Sequence, residues 1–121
     1  MNWFRSTCLV FAIGGVTIVH VHGHAFLDHA EPAVGSEVKQ TPHAVRIWFT
    51  EPIMTGSSSI KVFDAMGKQV DKKDTGSDVT NKSLLHVSLP LLTPGTYKVI
   101  WSVMSVDGHH TTGNFSFHVV P

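Results

Sequence analysis

Nine histidines equal the lysines and arginines in number in a chain of 121 residues that has one cysteine. Imidazole loses its proton near neutral pH and is the commonest metal ligand among side chains. One place where histidine meets a carboxylate is Ser105-Val106-Asp107-Gly108-His109-His110, with Asp107 and His109 on either side of a glycine turn. The other notable histidine is His24, which follows an apolar stretch. In a chain that begins at His24, the α-amine and the imidazole Nδ1 close a six-membered chelate on one ion, so one residue supplies two nitrogen ligands. An imidazole from His109 makes three nitrogens in a T-shaped arrangement, and Asp107 adds a carboxylate oxygen. This set suits tetragonal copper(II), which stands at the top of the divalent affinity order, while zinc binds more weakly. The ion must displace protons from the amine and the imidazoles, so affinity is expected to fall below about pH 6.

His24 becomes a terminus only if the preceding residues are removed, and they read as an export signal. Arg5 precedes an apolar run from Cys8 to Val19, and Val21 and Gly23 stand at the minus-three and minus-one positions before His24. A membrane anchor is the alternative, but the run is short of the roughly 20 apolar residues that a span needs. The expected division is a signal peptide over 1–23 and one domain over 24–121. The cut removes Arg5 and Cys8, leaving one more acidic than basic residue and no cysteine. Thiolate nucleophiles, cysteine zinc sites and redox pairs are thereby excluded from the mature chain. The balanced charge also provides no broad basic field for nucleic acid or an anionic membrane surface.

The elements that must position these residues read as strands. Val45, Ile47 and Phe49 alternate with Arg46, Trp48 and Thr50, and Tyr97, Val99, Trp101 and Val103 repeat the pattern, as do Phe115, Phe117 and Val119. Shorter runs over 60–63 and 84–89, with weaker ones over 25–29 and 68–70, bring the count close to seven. Turn signals fall at 32–35, 66–67, 94–95 and 107–108. No helical period is sustained over 11 residues or more. The polar stretch Asp71–Ser83 is the most loop-like part of the domain and predicts a mobile excursion. The fold expected is an all-β sandwich or barrel.

Over essentially all of its mature length the chain resembles the CopC family of periplasmic copper-binding proteins. The resemblance rests on His24-Ala25, Pro32-Ala33-Val34-Gly35-Ser36, Ile47-Trp48-Phe49-Thr50-Glu51-Pro52, and Pro94 through Trp101 leading to Ser105-Val106-Asp107-Gly108-His109 and Gly113, in the family's order. It implies a seven-stranded Greek-key barrel or sandwich of immunoglobulin-like type. The implied copper(II) ligands are the amine and imidazole of His24, with Asp107 and His109, and Glu51 lies beside the site, outside direct coordination. It further implies a monomeric copper carrier or sequestering protein of the periplasm, acting in copper resistance or homeostasis with an inner-membrane CopD-type partner. Some members add a copper(I) site in a methionine-rich loop. This chain departs from that pattern, having only Met54 and Met66 between strands, while Met104 alternates along a strand and reads as packing.

Alternatives stand beside each reading. Asp107 before glycine can be only a turn acceptor. His110 points away from His109 if the backbone is extended, and His29 reads as an exposed strand-end histidine or a weak helper of the site. His43, His86 and His118 fall on polar strand faces, and Trp48 and Trp101 read as packing. The same terminal-histidine chelate also occurs in lytic polysaccharide monooxygenases, which makes a copper-dependent oxidative enzyme the rival function. Against it stand a carboxylate where oxygen needs an open position and a domain short for a polysaccharide face. A metal-free immunoglobulin-like interaction module is the third reading.

Overall fold

Alternation of apolar and polar residues becomes strand geometry wherever one face can be buried. The computed structural model describes residues 24–121, so the proposed signal segment, with Arg5, Cys8, His20, His22 and the cleavage positions Val21 and Gly23, lies outside the described residues. Eight strands occur among the described residues: β1 Leu27–Glu31, β2 Glu37–Val38, β3 Ala44–Phe49, β4 Ser59–Phe63, β5 Gly76–Ser77, β6 Leu84–Ser88, β7 Gly95–Met104 and β8 His110–Val119. A single turn of 3-10 helix, Thr55–Ser57, interrupts the link from β3 to β4. The strands form two sheets, ordered β1-β3-β6-β5 and β2-β8-β7-β4. All pairings are antiparallel except that of β2 with β8.

This is the strand arrangement of an immunoglobulin-like sandwich, with the first strand divided between the two sheets. The set of strands differs from that expected, since Glu37–Val38 and Gly76–Ser77 pair as strands and residues 68–70 do not form one. The Tyr97 hydroxyl donates to the Thr93 carbonyl at 2.6 Å, the tyrosine corner common in such folds. The inward residues of both sheets, among them Ile47, Leu85, Ile60, Val99 and Phe117, are almost fully buried and fill the space between them.

Two close fits fix the sheets. Trp101 lies opposite Gly113 in the β7–β8 register, and a Cβ at Gly113 would come within 2.3 Å of the indole. Only a glycine admits the ring there, which then meets Phe49 edge-on at 5.2 Å. The second fit corrects the expected mobile excursion. Asp71 is 7% exposed and accepts hydrogen bonds from the Val62 amide at 2.8 Å and the Lys73 amide at 3.1 Å. Thr75 takes the Ile60 amide at 3.2 Å. Side chains of this segment therefore satisfy the open edge of β4, where an unpaired strand would invite another chain. The weak strand expected over 68–70 is only a single bridge between Gln69 and Phe63.

Candidate metal centre

Three segments remote in sequence meet at one end of the sandwich. The first, His24–Phe26, runs ahead of β1 and is held by its backbone. Ala25 is fully buried and its carbonyl accepts from the Thr111 hydroxyl at the start of β8. The Phe26 amide donates to Thr50 Oγ1 at 3.0 Å, and the Thr50 amide donates back to the Phe26 carbonyl at 2.8 Å. The second segment, Thr50–Met54, leaves β3. It reaches the third, the β7–β8 turn, through a bridge of Ile53 with Ser105 and a bond from the Val106 amide to the Pro52 carbonyl.

The turn itself is organised around Ser105, which is 1% exposed. Its amide donates to the His109 carbonyl at 2.9 Å, its carbonyl accepts from the Gly108 amide at 2.9 Å, and its hydroxyl accepts from the His109 amide at 3.3 Å. Gly108 has φ near +91°, a conformation that favours glycine over residues with a Cβ. The Ser105 hydroxyl also donates to Asp107 Oδ1, and His109 Nδ1 lies 3.2 Å from the same oxygen. The Ser105 hydroxyl, and then His109, hold the Asp107 carboxyl below the usual carboxylate range.

The rings of His24 and His109 stand 4.5 Å apart, tilted by 51°. Two imidazoles and a carboxylate, the donors that suit tetragonal copper, are thus brought together from opposite ends of the domain. Among the described residues no three His, Cys, Asp or Glu side chains form a ready metal cage. The donor set envisaged from the sequence includes a backbone nitrogen, the α-amine of His24, which no side chain replaces. A depression of about 630 Å³, lined by Ser59, Lys61, Asp71, Lys73 and Thr75 among others, contains none of these residues.

Glu51 is half-buried in the adjoining segment, and among the described residues it makes no hydrogen bond or ion pair with His24, Asp107 or His109. His29 is occupied elsewhere, stacking on Trp48 at 4.3 Å and pairing with Asp28 at 2.7 Å. His110 turns to Ser102, with Nε2 2.8 Å from its hydroxyl. His118 bonds Thr96, and Trp101 is core. Sequence reasoning missed Ser105, Thr50 and Thr111. The first left a signal, a serine two residues before an aspartate at a glycine turn, whereas the other two act only through tertiary contacts.

The CopC domain family matches residues 27–120. The chain is 36% identical over 118 residues to Protein YobA of Escherichia coli strain K12, covering 95% of each. It is 32% identical over 120 residues to Copper resistance protein C of Pseudomonas syringae pv. tomato, covering 94% of each. The crystal structure of CopC from Methylosinus trichosporium OB3b superposes with a TM-score of 0.77 at 32% identity, over 81% of this chain and 95% of that one.

Proposed function

Because the chain belongs to the CopC domain family, we propose that its exported form binds copper(II) and carries or sequesters it in the periplasm, in the service of copper resistance or homeostasis. The observation that supports this reading is the 4.5 Å approach of the His24 and His109 rings beside Asp107. In the proposal His24 contributes amine and imidazole, His109 its imidazole, and Asp107 a carboxylate oxygen, while Glu51 acts from outside the coordination shell.

The residues divide the work. His109 Nδ1 lies 3.2 Å from Asp107 Oδ1, close enough for one ion to take the imidazole Nδ1 and the carboxylate together in place of that contact. Both side-chain bonds of Asp107 fall on Oδ1, which leaves Oδ2 for the cargo. Binding releases protons from the amine and any protonated imidazole. No bond of a substrate is made or broken, so the protein acts as a carrier, as a monomer, and passes copper to an inner-membrane CopD-type partner.

Intact-mass analysis of the exported protein with and without copper(II) tests this directly. A first residue of His24 and one added copper are expected. A mass that retains residues 1–23, or no added copper, contradicts the proposal.

A further inference from the structure

On the outer face of the sheet that contains β7 and β8, two thioethers and an imidazole stand in a row across three backbone segments. The Met54 amide donates to the Met104 carbonyl at 2.8 Å. The return bond passes through Ser58, whose hydroxyl accepts from the Met104 amide at 3.0 Å and donates to the Met54 carbonyl at 2.8 Å. Met54 and Met104 are therefore directly opposed, one residue along from the bridge of Ile53 with Ser105. Ile53 and Ser105 point inward and are buried, so alternation turns Met54 and Met104 outward.

Met104 in turn opposes His110 at the end of the β7–β8 ladder. The bond from His110 to Ser102, two residues from Met104, keeps the imidazole on that same outer face. Met54 is 42% exposed, Met104 half-buried and His110 exposed. Opposed residues have Cβ atoms about 4.5–5.5 Å apart, and methionine has three rotatable bonds with which to aim its sulfur.

We propose that Met54, Met104 and His110 form a second metal site, selective for copper(I). Soft thioether ligands select copper(I). In the tautomer where His110 Nε2–H donates to Ser102, Nδ1 carries the lone pair for the ion, and Ser102 orients the ring. The row is not a methionine-rich loop: Met66, 91% exposed in the turn after β4, takes no part. His109 and His110 are consecutive yet face different partners, so the two sites are neighbours that share no ligand. This inference does not depend on the copper(II) reading.

The test is anaerobic titration of the exported protein with copper(I) against a chromophoric chelator, and with silver(I) as a redox-inert substitute while the methionine methyl resonances are followed. One equivalent is expected to shift the signals of Met54 and Met104 and leave Met66 in place. Met54→Leu, Met104→Leu and His110→Ala should each weaken copper(I) binding about tenfold or more, whereas His109→Ala should retain it. Leucine conserves side-chain volume, and the silver-induced shifts in the unaltered protein require no variant to fold. Unmoved Met54 and Met104 signals, unchanged affinity in the doubly substituted Met54→Leu/Met104→Leu protein, or copper(I) binding lost only in His109→Ala would each overturn the proposal.

Discussion

Ser105 decides how the β7–β8 turn presents its ligands, although it is not itself a ligand in this account. Its hydroxyl holds Asp107, and its backbone and hydroxyl clamp His109 at both amide and carbonyl. The turn-acceptor role and the ligand role of Asp107, alternatives in the sequence, are compatible in the structure because both side-chain bonds use one oxygen. Asp107 has its pKa lowered, so any stability or binding it contributes is present above the ordinary carboxylate value, about 4, and is lost only as pH falls through the lower folded-state value. Copper(II) lost between pH 7 and 5 would therefore not be due to protonation of Asp107. Ser105→Ala removes the orienting bonds but not the nitrogens. It is expected to bind copper(II) about 10–100-fold more weakly, with a pH profile parallel to that of the unaltered protein. Competition titration across that range checks both features, and equal affinities would remove Ser105 from the account.

Elements differ in how far their sequences announce them. β3, β7 and the second half of β8 alternate over five residues or more, and the alternation predicts both the strand and the buried face. β2 and β5 have two residues each, too few to carry a period, and they exist because a neighbouring strand offers free backbone groups. The same applies to the 71–83 segment, whose composition is that of a loop while its side chains complete a sheet edge. Asp71→Ala leaves the Val62 amide without its acceptor. A buried donor so orphaned costs about 1–3 kcal/mol, and urea denaturation should show a midpoint reduced accordingly with an unchanged slope. A midpoint equal to that of the unaltered protein would mean that the segment is not a structural part of the edge. The motifs around His24, Glu51 and Asp107-Gly108-His109 made the composition of the candidate site legible. The contacts that assemble it, Thr111 to Ala25 and Thr50 to Phe26, span 86 and 24 residues and have no local signature.

At the scale of the whole molecule, a rigid two-sheet core places loops from distant parts of the chain at one end, where function is commonly found. The candidate site belongs to the fold as a whole, since it needs the N-terminal segment, the exit of β3 and the β7–β8 turn together. As proposed it also needs a chemical change, because the His24 nitrogen is an amide in the full chain and becomes an amine only in a chain that begins there. The most direct test is a copper(II) competition titration that compares protein beginning at His24 with protein carrying one extra residue before it. The proposed site requires the extended form to keep the fold and the His109 and Asp107 donors but to bind at least about tenfold more weakly. Equal affinity of the two forms would contradict it.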